Sequence, residues 1–121
     1  EAVLVEIKTP ATKLLGPKYR GTYRPSTELA AAVMQALDYR RSLSKNLSGL
    51  LEGTDYKLQT FAPKCVVIIG NGSVELDSEA KREAFEMFRT NSRDVEIVTY
   101  DELFRKLEVL ASLFSLTRSK K

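Results

Sequence analysis

Glu6 and Lys8 stand two residues apart in Val3-Leu4-Val5-Glu6-Ile7-Lys8, a run that is otherwise apolar. Side chains alternate across a strand, so these two project to one side while Val5 and Ile7 project to the other. A carboxylate in such a strand is costly unless it is paired or bound to a metal. Lys8 can neutralise it as a plain ion pair. Alternatively, Glu6 can bind Mg2+ while Lys8 orients water or stabilises the charge developing on a phosphoryl group. Further along, Gln35 and Tyr39 lie one helical turn apart in Gln35-Ala36-Leu37-Asp38-Tyr39. They share the edge of an apolar stripe, where an amide carbonyl and a phenol could position Lys8, water or phosphate. The same pair also suits boundary residues that satisfy their own hydrogen bonds. Between the two motifs come Lys13, Lys18, Arg20 and Arg24, with no acid from Lys8 to Arg24 and with Tyr19 and Tyr23 interleaved. Such a segment fits phosphate contact and fits a solvated loop as well.

The chemistry left to this chain is narrow, because it contains no histidine. That removes Ser-His-Asp and Cys-His catalysis, histidine zinc sites and histidine general bases. Carboxylate, lysine, tyrosine and hydroxyl remain, and they suit oxygen-ligated magnesium or manganese. The single cysteine, Cys65, excludes an internal disulfide and points to a reducing compartment, the cytoplasm. Its apolar neighbours Val66 and Val67 mark it as a core residue. The net charge of +3 is too small to argue for nucleic acid by itself, so the acid-free span from Lys8 to Arg24 carries that argument. The apolar run from Cys65 to Ile69 is far too short to span a bilayer, and no membrane partner is expected.

The elements that must position these residues follow from periodicity. Residues 2–7 are expected to form a central strand covered on both faces and ended by Thr9-Pro10. A loop follows over residues 9–25, carrying Gly16-Pro17, Gly21 and Pro25. Pro25-Ser26-Thr27-Glu28 has a hydroxyl cap and a first-turn acid. It opens a helix to about Asn46, with Leu29, Val33, Ala36, Leu37, Leu43 and Leu47 as its apolar stripe. Residues 48–63 are turn-rich. Lys64 to Ile69 is a second buried strand, closed by Gly70-Asn71-Gly72. A helix from Ser78 to Thr90 turns Ala84, Phe85 and Phe88 inward, and Val95 to Thr99 is a third strand. A last helix, Asp101 to Leu116, carries Phe104, Leu107, Ala111 and Phe114 on one stripe, before a polar, frayed tail. This alternation predicts a single layered α/β domain over residues 1–121 with a partly parallel sheet. The opening inside a strand suggests a fragment whose earlier strands lie upstream.

Three further features have simple explanations. Gly70-Asn71-Gly72 lacks a full glycine-rich phosphate fingerprint and suits a strand-end turn better than a nucleotide cradle. Asn71-Gly72-Ser73 matches a glycosylation sequon, but nothing indicates secretion. Thr99-Tyr100-Asp101-Glu102 most simply caps the last helix.

Taken in order, an apolar strand ending in Glu-x-Lys, a basic segment and a helix bearing Gln-x-x-x-Tyr resemble the PD-(D/E)XK nucleases. Together with Tyr23-Arg24, Glu28-Leu29 and the late run Val95-Glu96-Ile97-Val98-Thr99-Tyr100-Asp101-Glu102-Leu103, they look like the nuclease domain of Shedu anti-phage defence proteins. That resemblance implies a restriction-endonuclease-like, three-layer α/β domain with a central mixed sheet flanked by helices. It implies Mg2+-dependent (or Mn2+-dependent) cleavage of DNA in defence against phage, and a homo-oligomer. Glu6 would be the metal-binding acid and Lys8 the catalytic lysine, with Gln35 and Tyr39 completing the site. Lys13, Lys18, Arg20 and Arg24 are the candidate DNA contacts. The superfamily also needs an aspartate from a preceding strand. Glu1, five residues before Glu6, falls on the opposite face, so the missing acid lies upstream or the domain is catalytically incomplete. A non-catalytic nucleic-acid-binding or oligomerisation module on the same fold is the alternative.

Overall fold

The computed structural model describes residues 2–50 and 63–119. Glu1, residues 51–62 and residues 120–121 lie outside them, and with them most of the segment 48–63 expected to be turn-rich. In chain order the elements are β1 (Val3–Ile7), β2 (Leu15–Tyr19), β3 (Thr22–Pro25), α1 (Thr27–Leu50), β4 (Lys64–Ile68), α2 (Gly72–Glu75), α3 (Glu79–Asn91), β5 (Val95–Val98) and α4 (Tyr100–Ser119). The domain is α/β. Strands β1, β4 and β5 form a three-stranded sheet in that order, both pairings parallel, with Leu4 opposite Cys65 and Cys65 opposite Val95. Strands β2 and β3 pair antiparallel as a separate ribbon. The expected mixed sheet is therefore divided among the described residues: parallel pairing in one sheet, antiparallel pairing in another.

The described residues pack around one hydrophobic core. Leu29, Ala32, Val33 and Ala36 of α1 and Ala84 and Phe85 of α3 pack with Cys65, Val67, Val95 and Ile97 of the sheet, and Leu4 packs against the same cluster. All these strand residues point to one face, because paired residues in a parallel ladder share a side. Successive crossovers of the usual right hand, in a sheet that grows in one direction, bring both helices to that same face. The opposite face is left open at β1, where Val3, Val5 and Ile7 are 54%, 46% and 65% exposed. The expectation of a central strand covered on both sides is thus corrected: among the described residues β1 is an edge strand with one covered face. An apolar run is compatible with burial on both faces, but it does not say which segment supplies the second cover.

The last helix also carries an open apolar face. Phe104, Leu107 and Phe114 do lie on one stripe of α4, yet they are 56%, 51% and 69% exposed, since no described element packs over them. Elsewhere the local signals place the elements well. Ser26 Oγ accepts the Leu29 N–H at 2.9 Å and caps α1, which runs four residues beyond the expected end. Ser78 caps α3 by accepting the Lys81 N–H. At the start of α4 the Glu102 carboxylate reaches back to the Thr99 N–H at 3.0 Å, one half of a capping box.

The segment expected to be a loop, residues 9–25, contains the β2–β3 ribbon. Its turn residues Arg20 and Gly21 both have positive φ, +49° and +81°, the two-residue hairpin geometry that follows the strand twist. The register shifts between Leu15 and Lys18, at Gly16-Pro17, where a bulge tolerates both residues. Tyr23 packs against the core cluster from the ribbon's inner side.

Candidate functional site

Glu6 and Lys8 meet as their spacing predicts. They project to the covered face at the C-terminal end of β1, and the Lys8 Nζ lies 3.4 Å from the Glu6 Oε1. Both side chains are partly buried, 18% exposed for Glu6 and 33% for Lys8, so the charges remain reachable from solvent. The backbone of Lys8 is held from two directions. Its N–H extends the ladder to the Ile68 carbonyl at 2.8 Å, and its carbonyl accepts the Tyr100 hydroxyl at 2.6 Å. The sequence did not single out Tyr100 as a partner of Lys8. Its position inside a capping motif gave a sufficient explanation, and no local pattern links residues 92 apart.

Gln35 and Tyr39 stand on α1 beside the buried positions Ala32 and Ala36, and both are exposed, Tyr39 at 52%. They share a flank of the helix, but among the described residues no hydrogen bond joins either to Glu6 or Lys8. Lys13, Lys18, Arg20 and Arg24 are all exposed. Among the described residues none of the four forms an ion pair. No group of three or more Asp, Glu or Cys residues able to hold a metal ion occurs among the described residues. Glu6 is consequently a single carboxylate already paired with an ammonium group, and the described residues do not by themselves compose a magnesium site.

The surroundings of Gly70-Asn71-Gly72 exclude the phosphate-cradle reading. Asn71 caps α2, and the Gly72 N–H, the natural phosphate donor, is taken by the Asp101 carboxylate at 2.7 Å. Burial alone would raise the Asp101 carboxyl. Hydrogen bonds from Thr99, Gly72 and Ser73 outweigh it and hold the group below its ordinary value. Nearby, a cleft of about 420 Å3 is lined by Arg82, Arg89 and Arg105 together with Glu86, Asp101 and Glu102. Arg89 pairs with Glu86 and Glu102, and Arg105 with Asp101, so these charges largely cancel. Glu102 is also held low, burial being outweighed by the Arg89 guanidinium and the Thr99 N–H.

The family model described as Shedu protein SduA, C-terminal, matches residues 1–104. The chain belongs to the Shedu SduA C-terminal family. A curated member, the Shedu protein SduA of Bacillus cereus (strain B4264), is 36% identical over 120 residues, covering 93% of this chain. The chain spans 31% of the length of that SduA protein. Glu6, Lys8, Gln35, Tyr39 and the four basic residues all lie within the part matched by the SduA family model. No described helix is long and apolar enough to cross a membrane.

Proposed function

We propose that this domain is the nuclease part of a Shedu defence protein, a PD-(D/E)XK-type endonuclease that hydrolyses DNA phosphodiester bonds and protects bacteria against phage. The observation that carries the reading is the Glu6–Lys8 pair: one acid and one lysine on one face at the end of a parallel strand, half-sheltered and 3.4 Å apart. In a chain without histidine, these groups are the reactive ones best placed for phosphoryl chemistry. Lys8 is suited to lie against a phosphoryl oxygen and stabilise the charge that accumulates there. The ladder bond and the Tyr100 hydroxyl hold its backbone so that the ammonium is aimed by a rigid element. Glu6 would supply one ligand to Mg2+ or Mn2+, the rest of the set coming from an acid outside the described residues. Gln35 and Tyr39 are proposed to complete the site from the flank of α1 once DNA is bound. The restriction-endonuclease-like fold, with further strands beside β1, and a homo-oligomeric assembly belong to the same proposal.

The test uses the full-length protein, a linear duplex and Mg2+ or Mn2+. Glu6→Gln and Lys8→Ala are each expected to lower cleavage by at least about a hundredfold with an unchanged circular dichroism spectrum. Full activity in Lys8→Ala removes the reading. One observation favours a second reading, a binding module without catalysis: the absence of a three-acid cluster among the described residues. It predicts DNA binding in EDTA with no cleavage in any divalent ion.

A further inference from the structure

The β2–β3 ribbon has two dissimilar faces. Lys18 pairs with Tyr23 and Tyr19 with Thr22, so Lys18 and Tyr23 share one face while Tyr19, Thr22 and Arg24 share the other. The Tyr23 face packs inward. There Lys81 of α3 lies 5.7 Å from the ring centroid, and Lys18 lies 6.0 Å away. The Tyr19 face points outward, with the Arg24 guanidinium 4.1 Å and the Arg20 guanidinium 5.2 Å from the Tyr19 centroid. Among the described residues neither arginine has an acidic partner, and both guanidinium groups are exposed.

The base of the ribbon is clamped. The Glu75 carboxylate accepts both the Leu14 N–H at 2.7 Å and the Leu15 N–H at 2.8 Å. Ser26 Oγ donates to the Lys13 carbonyl at 2.6 Å. The tip is a tight two-residue turn. A stiff antiparallel ribbon of this kind fits the major groove of a duplex. Single-strand binders, by contrast, offer open aromatic faces on which bases stack. Here each tyrosine ring is already attended by two cations, which leaves the guanidinium edges, rather than ring faces, for the ligand.

We infer that the outward face of this ribbon, Tyr19 with Arg20 and Arg24, is a duplex-DNA docking element that grips backbone phosphates, with Tyr19 holding the two guanidinium groups in position. The inference rests on the proposed DNA partner but not on Glu6, Lys8 or a metal. It assigns to Tyr19 a positioning role and to DNA the double-stranded form.

The test is fluorescence anisotropy with the full-length protein in EDTA, using a labelled duplex and its separated strand over a range of salt. The duplex is expected to bind more tightly than the strand. Arg20→Gln with Arg24→Gln should lower the slope of log affinity against log salt by about two. Tyr19→Leu, which leaves every charge in place, should weaken duplex binding severalfold at an unchanged melting temperature, and Tyr19→Phe should bind like the wild type. Wild-type affinity and slope in the double arginine variant overturn the inference, as does tighter binding of the single strand. Because EDTA removes cleavage from the readout, a protein that binds this way but never cuts sinks the nuclease reading alone. A protein that cuts normally yet ignores the arginine substitutions sinks this one alone.

Discussion

Single side chains in this domain differ sharply in what they hold. Arg89 joins three elements: it bonds Glu86 within α3, Glu102 at the start of α4 and the Ile97 carbonyl of β5 at 3.2 Å. Burial alone would lower the Arg89 guanidinium, yet the two carboxylates hold it above its ordinary value. Replacing Glu102 by Ala removes one of the two carboxylates paired with a partly buried guanidinium and leaves the Thr99 N–H without its acceptor. The expected loss is about 1–3 kcal/mol, measured by urea unfolding at neutral pH. The sign of the pH dependence follows from Glu102 and Asp101, both depressed in the folded state. Their stabilisation is present above the unfolded carboxylate range and is lost as pH falls through their lower folded values. Acid unfolding of Glu102→Gln should therefore be less steep in that range than that of the wild type. Gly70 is constrained by shape instead. Its φ is +71°, and a Cβ there would meet Leu14 Cδ2 at 2.7 Å and the Thr12 carbonyl at 2.9 Å. Gly70→Ala is expected to cost about 2 kcal/mol or more, and a melting temperature equal to the wild type would contradict the close packing. None of these roles was legible from local pattern. Glu102 was visible only as a cap, and Gly70 only as a turn, because their partners come from distant parts of the chain.

Elements were legible where their signals are local and strong. Ser26 and Ser78 mark the helix starts because a hydroxyl before an amphipathic run satisfies orphan N–H groups. Val66, Val67, Ile97 and Val98 mark strands because β-branched residues fit a pleated surface. The β2–β3 ribbon was hidden by Gly16-Pro17, which normally break a strand and here sit at its register shift. It was hidden again by a turn that starts with Arg20 in the left-handed region, where a glycine or asparagine is usual. What holds this ribbon is Glu75, whose two carboxylate oxygens each accept one N–H. Glu75→Gln keeps the shape but replaces one acceptor with a donor facing a donor. Amide exchange at Leu14 and Leu15 should accelerate in that variant while the amides of β4 keep their protection. Equal protection at both places would show that the clamp is not needed.

At the scale of the whole molecule, the α/β class and the alternation of elements were readable from the sequence, but the number of covered faces was not. Periodicity identifies an apolar face without identifying its cover. Among the described residues Val3, Val5 and Ile7 on β1 and Phe104, Leu107 and Phe114 on α4 are exposed apolar groups of two separate elements. Patches of this kind are unusual on the surface of a free monomer. The isolated 121-residue chain is expected to bind anilinonaphthalene sulfonate, and Val5→Thr with Ile7→Thr should reduce that fluorescence with little change in melting temperature. An unchanged signal would mean that the β1 face is covered in solution.

The pairing of β1 has a kinetic consequence. Among the described residues β1 pairs only with β4, about sixty residues away along the chain, whereas β4 and β5 are about thirty residues apart. Closing the longer loop costs roughly 0.6 kcal/mol more entropy, and it brings together strands with the higher contact order. The β4–α3–β5 unit is thus the natural first product of folding, and β1 docks onto it afterwards. In that order Glu6 and Lys8 reach their places beside Ile68 and Tyr100 only when β1 docks, so the proposed site would be completed late in folding.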